Sequence, residues 1–166
     1  IKRNDDMELA AVFTRRDPAT VSIQTESAAV KHFDEMASMK DEIDVMILCG
    51  GSATDLPVIG PEVAASFNTI DSFDTHAKIP EYFAAMDNAS KKGNKVLIIT
   101  DRDELLSQAG STIRKFDLHP SFIKAGSKYI DRRRNIYIAM SQTLRNRINL
   151  EEWRNFILDE IGRGTS

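Results

Sequence analysis

The sequence predicts an α/β fold: a doubly wound, mostly parallel sheet of about five or six strands with helices on both faces. Three observations predict it. Two apolar runs, Val45–Cys49 and Val96–Ile99, lack the alternation of a half-exposed strand, so they read as strands buried on both faces. Segments of helical period separate the strand candidates, the pattern of consecutive strand–helix–strand units. The first run ends in Gly50-Gly51-Ser52-Ala53-Thr54-Asp55. Glycines let the chain turn sharply at the carboxyl end of a strand, the edge where open α/β sheets hold ligands. A tight turn without a ligand fits that stretch equally well.

The length of 166 residues fits one α/β domain over 1–161, with a tail at 162–166 that carries no structural signal. No apolar run approaches the roughly 20 residues of a membrane span, and no signal-peptide pattern opens the chain. The single cysteine, Cys49, excludes an internal disulfide and fits a reducing, cytoplasmic setting. His32, His76 and His119 are too scattered to form a metal site. The net charge of −3 hides an asymmetry: up to Asn88 there are 7 basic and 16 acidic side chains, and from Ala89 onward 15 and 9.

In chain order, Glu8–Phe13 reads as a first strand, followed by Thr14-Arg15-Arg16-Asp17-Pro18. Two guanidinium forks after a buried strand suit phosphate oxygens, although a solvated basic turn is the commoner meaning of a bare Arg-Arg. Ala28, Val30, Phe33, Met36 and Ala37 are spaced for a short helix over 27–39. Pro57–Phe67 supplies a helix, and Asn68–Asp74 a short strand ending in carboxylates. Asp74 could face a ligand at the edge that holds Ser52, or cap the next helix. That helix spans Ile79–Lys92, with Tyr82, Phe83 and Met86 inward and Gly93 as its cap. Lys95–Thr100 is the second buried strand, and a helix is expected over 103–116. Strands at Phe122–Ala125 and Asn135–Met140 flank a charged connection, Lys128 with Asp131–Arg134, that reads as solvated. Leu150–Ile161 closes the chain as an amphipathic helix with Trp153, Phe156 and Ile157 on one face.

Residues 1–88 resemble meso-diaminopimelate dehydrogenase. The residues that carry the likeness are Asp6–Leu9, Phe13–Pro18, the stretch from Asp41 to Pro57, and Asn68-Thr69-Ile70-Asp71-Ser72-Phe73-Asp74-Thr75-His76. The resemblance implies a Rossmann-like fold and NADP as cofactor. Thr14, Arg15 and Arg16 would hold its 2′-phosphate. Cys49, Gly50, Gly51 and Ser52 would line it with Ser72 and Phe73, and Asp74 would lie near substrate and nicotinamide. The family opens with a strand and a glycine-rich pyrophosphate turn, whereas this sequence starts beyond that element.

Residues 89–161 resemble the first motor domain of superfamily-two, DEAD/DEAH-like helicases, through Lys95–Gln108 and Tyr137–Leu144. That likeness implies phosphate contacts from Thr100, Arg102, Ser141 and Gln142 to a nucleic acid. No Gly-x-x-x-x-Gly-Lys-Ser/Thr loop is present to cradle ATP. The two likenesses meet inside the Ile79–Lys92 helix. Together they suggest an engineered chimera without native catalysis that keeps weak NADP or phosphate binding. The alternatives are an NADP-binding fragment of a diaminopimelate dehydrogenase-like oxidoreductase, and a nucleic-acid-binding fragment of a helicase. The chimera reading assigns no catalytic or metal residue, requires no cofactor and expects no membrane contact or fixed partner. Self-association stays open, because a second copy can fill an unpaired strand edge.

Overall fold

The computed structural model describes residues 7–24, 28–91, 93–101, 103–104, 106, 117–147, 150–156 and 161. Contacts divide the chain into two compact units, Ile1–Ile43 and Asp44–Ser166.

In the first unit, strand β1 (Ala11–Thr14) pairs in parallel with β2 (Ala29–His32), placing Ala11 opposite Ala29 and Thr14 opposite His32. The turn after β1 is fixed by Asp17, whose Oδ1 accepts from the Ala19 N–H at 3.0 Å before the short 3-10 turn Pro18–Thr20. The helix expected over 27–39 is replaced by β2 and a 3-10 segment, Phe33–Met39. Its buried residues, Met36 and Met39, recur every three positions. That is the period of the tighter 3-10 turn, and the extended backbone at Val30 pairs with Val12 instead. A reciprocal cap starts the segment: the His32 ring accepts from the Asp34 N–H, and Glu35 Oε1 accepts from the His32 N–H at 2.9 Å.

The second unit is a five-stranded, fully parallel sheet in the order β3-β4-β5-β7-β6. Its strands are β3 (Val45–Leu48), β4 (Asn68–Asp71), β5 (Val96–Thr100), β6 (Ser121–Ile123) and β7 (Ile136–Met140). Helix α1 (Leu56–Ala64) joins β3 to β4, and α2 (Ile79–Ser90) joins β4 to β5. Helices α3 (Ser141–Arg147) and α4 (Glu151–Asn155) follow β7. This is the Rossmann-like α/β architecture expected from the sequence. Most of the helix expected over 103–116 lies outside the described residues.

Register shows how both faces are covered. Ile70, Leu97 and Tyr137 share one row and Ile99, Ala139 and Ile123 the next on the same face. They pack with Trp153, Phe156 and Ile161, and Phe156 meets Tyr137 edge-on at 4.7 Å between ring centroids. Val96, Ile98, Ile136 and Ile138 point the other way and are also buried. On that second face α1 and α2 pack against each other, and Tyr82 of α2 reaches Asp71 of β4. Burial of both faces explains why β5 and β7 lack alternation.

Gly93 closes α2 with φ +106°, a left-handed conformation that glycine adopts without a Cβ penalty. The charged connection before β7 is more than solvated surface. Asp131 accepts from the Nε atoms of Arg133 and Arg134, each at 3.1 Å. The buried Lys95 Nζ donates to the Arg132 and Arg134 carbonyls, each at 2.9 Å. Among the described residues, no helix is long and apolar enough to cross a membrane.

Candidate functional site

Because all strands of the second unit are parallel, their carboxyl ends share one edge. Two turns meet there. The first runs from the end of β3 through Cys49, Gly50, Gly51 and Ser52. Asp55 closes it: the Gly51 N–H donates to Asp55 Oδ2 at 3.0 Å, while the Gly51 carbonyl accepts from the N–H groups of Thr54, Asp55 and Leu56. Tightness forces glycine at position 50, where an added Cβ would come within 2.9 Å of Asp55 Cβ. The exposed Cys49 thiol turns back to the Ile47 carbonyl at 3.8 Å.

The second turn, Ser72–Thr75, follows β4. Ser52 ties it to the first, its Oγ accepting from the Asp74 N–H at 2.8 Å and from the Thr75 N–H at 3.2 Å. Two successive amides on one oxygen form an anion-type nest occupied by a hydroxyl. The hydroxyl's single proton is its remaining hydrogen-bonding capacity. Lys78 adds a second tie, Nζ donating to the Ala53 carbonyl at 3.1 Å. Ser72 and Asp74 are exposed at this edge. Phe73 is buried, its ring stacked on Tyr82 with centroids 4.0 Å apart, so it offers the edge only backbone.

Beneath the turn lies a pair that sequence reasoning did not single out. Asp71, only 2% exposed, accepts from the Phe73 N–H at 3.0 Å and from the Tyr82 hydroxyl at 2.8 Å. Burial pushes its carboxyl up to about 6, against the lowering effect of those two hydrogen bonds. Tyr82 is pushed far above the usual phenol range by burial, then by the Asp71 charge and the bond to it. The available sequence signal was a carboxylate inside a strand otherwise facing a helix, eleven residues before an inward tyrosine.

Thr14, Arg15 and Arg16 belong to the first unit, just past β1. Thr14 Oγ1 accepts from the Arg16 N–H at 3.1 Å, and both arginines are exposed. Of the residues assigned to nucleic acid, Arg102 lies outside the described residues. Thr100 is buried at the end of β5, Ser141 opens α3, and Gln142 Nε2 donates to Asn146 Oδ1 at 3.1 Å within its own helix. Among the described residues, no three His, Cys, Asp or Glu side chains converge as a metal site.

No protein-family model matches the chain. It is 62% identical over 100 residues to the meso-diaminopimelate D-dehydrogenases of Ureibacillus thermosphaericus and Lysinibacillus sphaericus, covering 60% of this chain and 30% of each relative. The Acetivibrio thermocellus enzyme is 52% identical over 99 residues. A solved mutant of the Clostridium tetani E88 meso-diaminopimelate dehydrogenase superposes with a TM-score of 0.54 at 47% identity, over 73% of this chain and 37% of that one. An engineered D-amino acid dehydrogenase bound to NADP+ gives a TM-score of 0.52 at 33% identity, over 59% of this chain and 30% of that one. The chain thus spans less than a third of the curated relatives' length.

These likenesses overturn the chimera. An alignment of 100 residues is longer than the 88-residue segment assigned to the dehydrogenase, and the structural match covers 73% of the chain. Dehydrogenase likeness therefore continues past Asn88, through the helix where a join was expected. The relatives lend no support to a helicase origin for 89–161, and Lys95, which opens one of the stretches that suggested it, is buried with Nζ donating to the Arg132 and Arg134 carbonyls. Over the matched segment this chain resembles the NADP-binding part of meso-diaminopimelate D-dehydrogenase.

Proposed function

We propose that the chain is the NADP-binding portion of a dehydrogenase of the meso-diaminopimelate type, and that the carboxyl edge of its five-stranded sheet lines the cofactor. The observation that carries this reading is the 62% identity over 100 residues, beside a sheet edge where Ser52 of the Gly50–Ser52 turn binds the turn that follows β4. The residues present fit a dinucleotide. A side-chain-free turn at a strand end lets a ligand approach the backbone, and exposed guanidinium forks at Arg15 and Arg16 suit a phosphate monoester.

When bound, NADP supplies the hydride acceptor of the reaction. This chain's residues position it. Taken by itself, the first unit offers the exposed Arg15 and Arg16 side chains and the Thr14 hydroxyl to a phosphate monoester, the group that distinguishes NADP from NAD. Cys49, Gly50 and Gly51 would offer backbone surface, and the Ser52 hydroxyl, its oxygen held by two amides, would donate a hydrogen bond to the cofactor. Asp74, exposed beside Ser52, presents a carboxylate to the amino group of a substrate. Calorimetric titration of the chain with NADP and NAD tests the reading. Arg15→Ala should weaken NADP about 10- to 100-fold, as expected for a lost charge-assisted phosphate contact, and leave NAD nearly unchanged. No heat at millimolar NADP, or an equal effect on both cofactors, refutes it.

A further inference from the structure

We propose that Asp71 and Tyr82 are positioning residues for this cofactor edge: the Asp71 carboxylate holds the Ser72–Thr75 turn from below, so that its amides meet Ser52. The proposal rests on the cofactor reading above. Its geometry is a bracket with three arms. Asp71 Oδ1 fixes the Phe73 N–H, Asp71 Oδ2 fixes the Tyr82 hydroxyl, and the Phe73 ring lies on the Tyr82 ring at an interplanar angle of 16°. The next two amides along the chain, Asp74 and Thr75, are those that bind Ser52. A buried carboxylate is a costly way to fill a strand position. Here the Phe73 amide and the Tyr82 hydroxyl bonded to that carboxylate both lead to the turn, one directly and one through the stacked ring.

What faces Asp71 from the packed elements is otherwise apolar: Leu48 on β3 and Ile98 on β5 lie beside it in register. Helix α1 brings Gly60, where an added Cβ would come within 2.6 Å of the Tyr82 hydroxyl. The charged groups on these elements are Glu62 on α1 and Glu81 and Asp87 on α2, with Asp55, Asp74 and Lys78 on the flanking turns. The influences on Asp71 are its burial, the Phe73 amide and the Tyr82 hydroxyl. Ionised, it makes charge-assisted bonds to both partners; protonated, it holds them less strongly.

The test measures NADP affinity of the wild-type chain and of Asp71→Asn from pH 5 to pH 7.5. Taking the ratio of the two dissociation constants at each pH cancels titration of the cofactor's own phosphate. The variant should bind about tenfold more weakly at pH 7.5, and the ratio should approach one at pH 5, where wild-type Asp71 is neutral. Tyr82→Phe keeps the stacked ring and should move the midpoint of the wild-type profile to higher pH. A ratio that is constant with pH overturns the proposal, because a purely structural contribution would be pH-independent. If wild type binds no NADP at any pH, the cofactor reading falls. The bracket is then read by amide exchange at Phe73 and Asp74: protection that drops toward pH 5 in wild type but not in Asp71→Asn supports it, and unchanged protection overturns it.

Discussion

The buried carboxylate of Asp71 makes stability itself depend on pH in a direction opposite to ordinary acid denaturation. Its carboxyl is raised from the usual 3.8 to about 6 in the folded chain. A rise of that size corresponds to about 3 kcal/mol between the neutral and ionised forms. Between those two values the folded state keeps a proton that the unfolded state has released, so stability falls as pH rises. The contribution is fully present below about pH 4 and is lost once pH passes about 6. Asp71→Asn removes the titration while keeping the side chain's shape. Urea unfolding followed by the fluorescence of Trp153, the single tryptophan and buried in the core, reads the effect. From pH 4 to pH 7.5, the unfolding free energy of wild type minus that of the variant should drop by about 2–3 kcal/mol. A difference flat with pH would show that Asp71 titrates in the fold as it does in the unfolded chain, and would refute the reasoning.

Three further substitutions probe how the second unit is held. Gly60→Ala sets a Cβ 2.6 Å from the Tyr82 hydroxyl and 2.9 Å from its Cε2; thermal melts should show a loss of about 1–3 kcal/mol, typical of overpacking. Lys95→Met deprives the Arg132 and Arg134 carbonyls of their shared donor and should cost about 1–3 kcal/mol in the same assay. Trp153→Ala empties the centre of the cluster with Phe156 and Tyr137. Its cost should be about 3–5 kcal/mol by urea unfolding followed by circular dichroism.

Much of the second unit was legible because its central strands are buried on both faces; β3, expected to be buried likewise, ends the strand order and leaves Ile47 52% exposed. Val96–Ile99 and Ile136–Met140 declare themselves without reference to any partner, and Gly93 marks the end of α2 by composition alone. The β2 strand was not legible. Its four residues depend on pairing with β1, and the apolar spacing of Phe33, Met36 and Met39 that follows imitates a helix while fitting a 3-10 turn. At the site, the Gly-Gly-Ser turn was visible, but the bond from Ser52 to the Asp74 and Thr75 amides joins positions 22 and 23 residues apart. Asp71 and Tyr82 were likewise hidden, since each is unremarkable until the helix brings them together. The likeness of Lys95–Gln108 and Tyr137–Leu144 to helicase stretches misled most: Lys95 is buried against carbonyls, Thr100 is buried at the end of β5, and Gln142 bonds within its own helix.

The most direct check of the cofactor edge is amide chemical-shift mapping of the isotopically labelled chain during NADP addition. Shifts concentrated at Gly50, Ser52, Asp74 and Thr75, saturating with one midpoint, are the predicted outcome. Saturable shifts confined to the Lys128–Arg134 connection, with the β3 and β4 turns silent, would contradict it.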